Sequence, residues 1–379
     1  MKRIVILYGG KSGEHEVSLV SAASIVRHID RKRFEPILVG ITKEGLWFLQ
    51  DESVAARARS PEGAAAGSGL SISTGRRVFV APGRGLVVEA ASGGVSELAC
   101  DLVFPVLHGS FGEDGTIQGL LEVAGLPCVG ASVLGSAIGM DKEVAKELWL
   151  RAGLPVVPFL AVRAASLEDI DAIARKVDAR FGWPCFVKPA CAGSSVGASK
   201  VADSSALEAA LRAALEWDEK ALIEPFVDAR EIECAVLGNE DPVAFAPGEV
   251  VPSHEFYDYD AKYLDPEGAR LDVPADLPAE RAERVKSLAI AAFKAGELAG
   301  MARVDFFIDR RTGEVLLNEV NTIPGFTHIS MYPRMCEAGG ISYSELITKL
   351  AELAMERFEK RSRLRFMGAP GAPPAAPTA

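Results

Sequence analysis

The chain has 379 residues, of which 49% are hydrophobic and 25% charged, a balance typical of folded globular proteins rather than of disordered or fibrous chains. Its formal net charge of −11 argues against a broad surface for nucleic acid or anionic membranes, because both partners require clustered Lys and Arg. A chain of this length exceeds the size at which one core stops growing, so we expect two or three domains.

The cysteines and the N-terminus indicate the cellular compartment. The six cysteines are scattered, and none forms a CxxC pair or has a His at zinc-ligand spacing, so buried, reduced thiols are expected. The start "MKRIVILYGG" contains an apolar run too short for a signal peptide. No segment approaches the roughly 20 apolar residues of a membrane span. We therefore expect a cytoplasmic protein that binds neither membranes nor nucleic acid.

Residues 1–135 are predicted to form a small α/β domain with a parallel sheet. "RIVILYGG" has the pattern of a buried strand that ends in glycines, "EVSLVSAASIVRHI" has helical spacing, and "EPILVGI" and "CDLVFPVLHG" are further strands. A strand, a glycine turn and a helix open a βαβ unit. The Ala/Gly/Ser-rich stretch from Val54 to Leu70 interrupts this pattern and is expected to be a mobile excursion.

The glycine turn "GGKSGEHEVS" contains Gly-Lys-Ser but is not a Walker P-loop. That motif needs a glycine five positions earlier, where this chain has Val5. The turn still follows the carboxyl end of the first strand, where open α/β sheets place ligands. Glu14 either faces the amino group of a ligand or caps the following helix, and the residues alone leave both alternatives open.

Residues 136–220 are predicted to form a second domain. It opens with the helix "MDKEVAKELWLRAGLP" and contains "PCFVKPACAGSSVGASKV", two strands around a turn of small residues. Backbone amides in such a turn can point together at phosphate oxygens, and Lys188 could neutralise one of these oxygens. An ordinary hairpin with a solvated lysine explains the pattern equally well.

Residues 221–365 are predicted to form a third domain with a polar patch on paired strands. "ARVDFFID" and "VLLNEVN" read as strands joined by the hairpin connection "DRRTG". Because side chains alternate along a strand, Arg303 shares a face with Asp305, and Glu319 shares a face with Asn321. Two carboxylates and an amide are hard oxygen ligands that suit Mg²⁺. A buried salt bridge between Arg303 and one carboxylate is the alternative.

Two further segments complete the chain. Residues 256–268, "FYDYDAKYLDPEG", mix aromatic and charged residues without a helical or strand period. We interpret them as a lid that closes over a site and excludes water, and a loop packed permanently on the surface is the alternative. Residues 366–379 lack the apolar side chains needed to fold and are expected to be a disordered tail.

Together these motifs resemble the ATP-grasp ligases and, within them, the D-alanine–D-alanine ligase family. The resemblance covers nearly the whole chain through the ordered motifs "GGKSGEHEVS", "HGSFGEDGTIQG", "GMDKEVAK", "KPACAGSSVG", "FYDYDAKY", "RVDFF" and "NEVNTIPGFTHISMYP". It implies a three-domain α/β ATP-grasp fold with a Rossmann-like N-terminal domain. The chain departs from its relatives at Ala190, Cys191 and Ala192, where they often carry polar or charged residues, and backbone contacts should survive that change.

The resemblance implies a nucleotide site with two Mg²⁺ ions, for which Mn²⁺ is a possible substitute. The residues implied to bind ATP are Lys142, Lys188 and Ser195 at the phosphates and Glu224, Phe226, Val227 and Glu231 at the adenosine. The implied metal ligands are Asp305, Glu319 and Asn321, with Glu319 shared between the ions.

The resemblance also implies two amino-acid sites. The first D-alanine would be held by Glu14, Ser194 and Tyr263. The second would be held by Lys262, Ser330 and the amide of Met331. Arg303 and the amide of Gly325 would stabilise the oxyanion, and glycine at that point lets the amide approach closely.

The implied reaction joins two D-alanines through an acyl phosphate, releases ADP and phosphate, and supplies peptidoglycan synthesis. The expected partners are D-alanine, ATP and a second copy of the chain in a homodimer. A ligase that joins D-alanine to D-lactate is one alternative, but relatives with that preference generally lack the "YDYxAKY" lid that this chain contains. A non-catalytic nucleotide-binding regulator is the other, and it would be expected to lose a metal ligand or the lid.

Overall fold

The computed structural model describes residues 1–60, 69–91, 93–193, 196–252 and 269–365. The interpreted lid at 256–268 and the expected tail at 366–379 lie outside these ranges. So do the site candidates Ser194, Ser195, Lys262 and Tyr263. Within the described ranges, no helix has the length and apolar character needed to cross a bilayer.

Residues 1–140 contain a sheet whose central pairs are parallel. The strands here are β1 (Lys2–Gly9), β2 (Phe34–Ile41), β3 (Trp47–Leu49), β4 (Val78–Ala81), β5 (Gly85–Glu89), β6 (Val95–Leu98) and β7 (Leu102–Val106). The helices are α1 (His15–His28), α2 (Glu52–Arg59), α3 (Thr116–Ala124) and α4 (Val133–Met140). The order is β3-β2-β1-β7, with β1 parallel to both neighbours. The apolar run of β1 is buried because helices cover such a sheet.

The expectation of a mobile excursion from Val54 to Leu70 is wrong for the part that the structure describes. Glu52–Arg59 form α2, which buries Val54, Ala55 and Ala58. Alanine has the highest helix propensity, so the alanines that suggested low complexity instead favour a helix packed against α1. A second, antiparallel sheet of β4, β5 and β6 was also not predicted.

Residues 141–225 form an antiparallel sheet beside three helices. The elements are α5 (Lys142–Arg151), β8 (Leu160–Arg163), α6 (Ile170–Arg180), β9 (Cys185–Pro189), β10 (Ser199–Val201), α7 (Leu207–Leu215) and β11 (Lys220–Pro225). Their strand order is β10-β9-β11-β8. The predicted pair of strands around the loop of small residues is confirmed as β9 and β10.

The remaining described residues form the largest sheet, which is antiparallel. The elements are β12 (Ala229–Gly238), β13 (Val243–Ala244), β14 (Gly248–Pro252), β15 (Ala269–Asp272), α8 (Ala279–Ala295), β16 (Gly300–Asp309), β17 (Val315–Asn321), α9 (Met331–Ala338) and α10 (Tyr343–Ser362). The order is β15-β14-β12-β16-β17, and β13 pairs with β12. The predicted hairpin is confirmed as β16 and β17. The domain boundaries near residues 135, 220 and 365 stay predictions.

The first and last regions share one core. The ring of Phe326, which lies between β17 and α9, packs edge-on against Phe104 of β7 with centroids 5.7 Å apart. Tyr343 Oη donates a hydrogen bond to Phe326 O over 2.6 Å. Arg357 of α10 donates to Cys128 O over 2.8 Å. These contacts hold the loop after β17 against the first sheet.

Candidate active site

Lys142 lies between the loop that follows β9 and the end of β17. Asp141 caps α5 by accepting hydrogen bonds from two backbone amides of its first turn, which fixes the start of the helix. Lys142 Nζ donates to Ala192 O over 2.7 Å and lies 3.4 Å from Glu319 Oε2. The chain therefore brings a predicted phosphate ligand and a predicted metal ligand into one ion pair.

Lys188 belongs to a buried group that we call the lysine cluster, formed by Lys146, Lys188 and Glu224. Lys188 Nζ lies 2.7 Å from Glu224 Oε2, and only 15% of its side chain is exposed. Burial alone would lower the pKa of Lys188, but the charges of Glu224 and Glu319 outweigh burial and raise it. The alternative of a solvated lysine on an ordinary hairpin is therefore wrong.

A second polar group, the acidic patch, is formed by Glu233, Arg303, Asp305, Glu319 and Asn321. In the antiparallel pairing of β16 and β17, Asp305 lies opposite Glu319 and Arg303 opposite Asn321. On the other side of β16, Glu233 of β12 lies opposite Asp305. Side chains of opposed residues point to the same face, so the predicted gathering of the four residues on one face is confirmed.

Arg303 holds the centre of the acidic patch. Its Nη2 lies 2.7 Å from Asp305 Oδ2, and its Nε lies 3.0 Å from Glu233 Oε2. Asn321 Nδ2 donates to Asp305 Oδ2 over 2.9 Å. Burial lowers the pKa of Arg303, but Asp305 and Glu233 outweigh it and raise the pKa well above its usual value. The salt bridge considered as an alternative is thus present at Asp305.

The donor set of the acidic patch fits a divalent cation. Asp305, Glu319 and Asn321 offer hard oxygen atoms from neighbouring strands, and the amide O and N of Asn321 exchange places by a side-chain flip. Arg303 can stay paired with Glu233 while Asp305 binds a cation, because it lies within 3.0 Å of both. No three His, Cys, Asp or Glu side chains of the described residues form a metal cage. A cation here would share its coordination with phosphate or water, as Mg²⁺ typically does.

A β-bulge adds a polar side chain that was not predicted. The register shifts after Asp305, where Phe306 lies opposite Leu317, so Asn318 is the extra residue of β17. Asn318 Oδ1 accepts a hydrogen bond from Lys188 Nζ over 3.2 Å. The bulge therefore links the lysine cluster to the strand that carries Glu319.

Glu14 lies in the cleft between two loops. It precedes α1, but its side chain makes no capping hydrogen bond, so the capping alternative is wrong. A Cβ atom at Gly109 or Gly193 would come within 2.6 Å or 3.0 Å of Glu14 Oε2. The glycines at these positions let both loops approach the carboxylate, and Glu14 as a whole is only 9% exposed.

Glu113 and His108, which were not predicted as site residues, join the first region to the loop after β17. Glu113 accepts hydrogen bonds of 2.9 Å from the amides of Gly109 and Ile323. Burial, with a smaller effect of Glu14, raises the pKa of Glu113 to about 7. His108 Nδ1 lies 2.8 Å from Ile323 O, and burial lowers the pKa of His108, so it donates this bond as a neutral imidazole.

Ser330 and Met331 lie at the N-terminus of α9. Ser330 precedes the helix and Met331 is its first residue, so the amides of this turn lack helical partners and favour an anion. Ser330 Oγ accepts a hydrogen bond from Thr327 N over 3.1 Å. A Cβ at Gly325 would lie 3.4 Å from Ser330 Oγ, which is an ordinary van der Waals distance, so the turn does not require glycine there for space.

The residues predicted for the adenosine lie at the end of β11 and on β12. Phe226 is 39% exposed and stacks on Phe186 with centroids 6.2 Å apart. Val227 follows it, and Glu231 lies on the same face of β12 as Glu233. The carboxylate of Glu224 is engaged by two lysines, a contact that the sequence pattern did not predict.

A small cavity of about 30 Å³ lies beside the ion pair of Lys142 and Glu319. It is lined by Glu113, Lys142, Gly193, Glu319 and Asn321, together with neighbouring backbone. Of the predicted residues, Lys142, Glu319 and Asn321 line this cavity, and Glu14 lies beside Gly193 of its lining. The lining does not include the predicted residues Phe226, Val227, Glu231, Ser330 and Met331. Lys146 was missed although it follows Lys142 by four residues, a spacing that places both on one side of a helix.

Comparisons with known families match both parts of the chain. A family model described as "D-ala D-ala ligase N-terminus" matches residues 3–131, and one described as "D-ala D-ala ligase C-terminus" matches residues 148–352. A D-alanine–D-alanine ligase of Treponema denticola is 48% identical over 365 residues, which cover 96% of this chain and 98% of that protein. The D-alanine–D-alanine ligase A of Bradyrhizobium diazoefficiens is 51% identical over 367 residues, or 96% and 97%.

Solved structures give the same result. The D-alanine–D-alanine ligase of Coxiella burnetii has a TM-score of 0.81 and 34% identity, over 96% of this chain and 98% of its own. The VanG D-Ala:D-Ser ligase of Enterococcus faecalis has a TM-score of 0.79 and 35% identity, over 93% and 99%. The predicted ATP-grasp architecture is confirmed at the level of these neighbours.

Proposed function

Because this chain belongs to the D-alanine–D-alanine ligase family and is therefore an ATP-dependent ligase, we propose that it joins two D-alanines in the cleft described above. The reaction passes through an acyl phosphate and releases ADP and phosphate. One observation carries the proposal: Lys142 contacts both the loop after β9 and Glu319. A phosphate chain and a metal ion would have to meet at that point.

The nucleotide lies along the central sheet in this proposal. Lys142 and Lys188 neutralise phosphate oxygens, together with Ser195, which lies outside the described residues. Phe226, Val227, Glu231 and the segment around Glu224 hold the adenosine. A buried ammonium group attracts phosphate more strongly than an exposed one does, because its surroundings screen charge less than water does.

Asp305, Glu319 and Asn321 would hold two Mg²⁺ or Mn²⁺ ions, with Glu319 shared. Bound there, the ions supply positive charge that offsets the charge spread over the transferring phosphoryl group. Arg303 would stay paired with Glu233 if Asp305 held a cation, and its guanidinium would remain in the site.

Glu14 binds the amino group of the first D-alanine, with Ser194 and Tyr263 from outside the described residues in support. Glu14 is close to Gly193 of the loop after β9, so the proposed amino-acid site adjoins the loop proposed to hold phosphate. That carboxylate attacks the γ-phosphate of ATP. The product is an acyl phosphate, which a closed lid at 256–268 would protect from water.

Ser330, the amide of Met331 and Lys262 bind the carboxylate of the second D-alanine. Its uncharged amine attacks the acyl carbon, the bond from that carbon to the phosphate oxygen breaks so that phosphate leaves, and the nitrogen loses a proton as the peptide bond forms. Arg303 and the amide of Gly325 stabilise the negative charge that develops on the carbonyl oxygen.

We propose that the protein acts in peptidoglycan precursor synthesis, because the family's reaction supplies that process. A cytoplasmic location, assembly as a homodimer and the absence of nucleic-acid and membrane partners belong to the same proposal.

A phosphate-release assay with ATP and Mg²⁺ tests the function directly. We expect turnover with D-alanine, none above background with L-alanine, and little product when D-lactate replaces the second D-alanine at neutral pH. D-Serine belongs in the series because one solved relative is named a D-Ala:D-Ser ligase. No release with D-alanine would indicate a non-catalytic regulator, and faster depsipeptide than dipeptide formation would overturn the substrate assignment.

A further inference from the structure

We propose that Lys146 is a positioning residue for the nucleotide: it anchors Glu224, and Glu224 in turn sets the ammonium group of Lys188 against the phosphates. The inference rests on the proposed function, because that function assigns Lys188 to the phosphates. Lys146 itself would not touch the nucleotide.

The position of Lys146 is unusual for a lysine. Its side chain is fully buried, and its Nζ lies 3.0 Å from Glu224 Oε1. The same Nζ donates to Val157 O over 3.3 Å and lies 5.9 Å from the centre of the Phe159 ring. A buried ammonium is costly unless it is paired, and here one carboxylate is the charged partner.

Glu224 divides its carboxylate between two lysines. Oε1 faces Lys146 at 3.0 Å and Oε2 faces Lys188 at 2.7 Å, so the group is held from both sides. Lys188 also donates to Asn318 Oδ1 over 3.2 Å. Among the described residues, these contacts use two of the three N–H donors of Lys188, and one donor remains for a phosphate oxygen.

The charges in the lysine cluster give Lys146 a second effect. Two ammonium groups share one carboxylate, so the cluster carries one uncompensated positive charge. Without Lys146, Glu224 would neutralise Lys188 completely, and a phosphate would compete with Glu224 for it. Lys146 therefore both orients Lys188 and preserves its charge for the nucleotide.

Replacing Lys146 by Met tests the inference, with binding of ADP and of a non-hydrolysable ATP analogue measured by calorimetry beside steady-state kinetics. We expect Lys146→Met to weaken nucleotide binding and to raise KM for ATP about tenfold, which corresponds to about 1.4 kcal/mol. KM for D-alanine should stay within about twofold and kcat within about threefold, because binding rather than chemistry is affected. Lys146→Arg, which keeps the charge, should recover most of the affinity.

Trp149→Phe is the matched structural control. Trp149 lies on the same helix, is 1% exposed, and donates a hydrogen bond from Nε1 to Ala292 O over 3.1 Å. Its loss should lower the thermal midpoint without changing KM for ATP. If Lys146→Met binds nucleotide like the wild type, or if Trp149→Phe weakens binding equally, the inference is wrong.

Two further variants separate the possible failures. Lys188→Met must weaken nucleotide binding if the proposed phosphate site is correct, so wild-type affinity in that variant would refute the site rather than the role of Lys146. If Lys146→Met does not fold, Lys146→Gln keeps a donor for Val157 O and is read in the same way.

Discussion

The lysine cluster and the acidic patch are built alike but with opposite charges. In the lysine cluster, the carboxylate of Glu224 lies between two ammonium groups at 3.0 Å and 2.7 Å. In the acidic patch, the guanidinium of Arg303 lies between the carboxylates of Glu233 and Asp305, at 3.0 Å and 2.7 Å. Lys146, Glu224 and Lys188 together leave one positive charge over. Glu233, Arg303 and Asp305 leave one negative charge over, to which Glu319 of the same patch adds a second.

This difference explains why the two ligands would bind together. The positive excess suits phosphate and the negative excess suits a metal ion, and the ion pair of Lys142 with Glu319 lies where the two groups meet. Either ligand alone would find a site of the wrong sign on one side. A nucleotide that carries its metal satisfies both.

Glu319→Gln is the substitution expected to have the largest effect on the acidic patch. The amide keeps the shape of the side chain but removes the negative charge that two ions would share. We expect kcat to fall by at least about a thousandfold, since metal charge stabilisation is worth several kcal/mol. Phosphate release measures the loss, and thermal unfolding should show a folded variant. Activity retained at ordinary Mg²⁺ concentrations would remove Glu319 from the metal site.

Arg303→Lys keeps the positive charge at the centre of the acidic patch but removes the planar guanidinium group. Lysine cannot contact Asp305 through two nitrogens as Arg303 does. We expect kcat to fall about a hundredfold, the usual cost of losing one oxyanion donor, with little change in KM for ATP. A larger change in KM for ATP than in kcat would assign Arg303 to nucleotide binding instead.

The pH dependence of stability offers the smallest effect. Burial lowers the pKa of Lys146 from 10.5 to about 8, with Glu224 acting in the opposite direction. Between those values the unfolded chain binds more protons than the folded protein, so the contribution of Lys146 to the free energy of unfolding rises with pH. Relative to Lys146→Met, the wild type should gain about 2 kcal/mol between pH 7.5 and 9.5. Urea unfolding of both proteins at both pH values measures this difference. The prediction is wrong if the free energy of unfolding changes equally with pH in the wild type and in Lys146→Met.

Much of the acidic patch could be predicted from local sequence. Strand alternation and a short hairpin connection place Arg303, Asp305, Glu319 and Asn321 on one face, and the observed register confirms that reading. Glu233 could not be predicted in the same way, because strand β12 lies far from β16 in the chain and no local pattern states which strands pair. The β-bulge at Asn318 could not be predicted either. One extra residue changes which face of the sheet the side chains point to, but it leaves no mark in the composition of the strand.

The lysine cluster was only half predictable. A lysine before a loop of small residues suggested phosphate binding at Lys188, whereas the burial of Lys146 and its contact with Glu224 depend on how α5 packs against the central sheet. The four-residue spacing of Lys142 and Lys146 was a usable signal. For the described part of the stretch from Val54 to Leu70, composition was misleading, because alanine is common both in irregular linkers and in helices.

The segment between β17 and α9 belongs to the last sheet by chain connectivity, yet it is fastened to the first region. Ile323 bonds to Glu113 and His108, and the amides of Phe326 and His328 donate to Ser21 and Ser24 of α1. Expressing the two halves separately would therefore leave this segment without its anchor. The proposed site of the second amino acid therefore depends on both ends of the polypeptide, and separating the chain into independent modules would remove it.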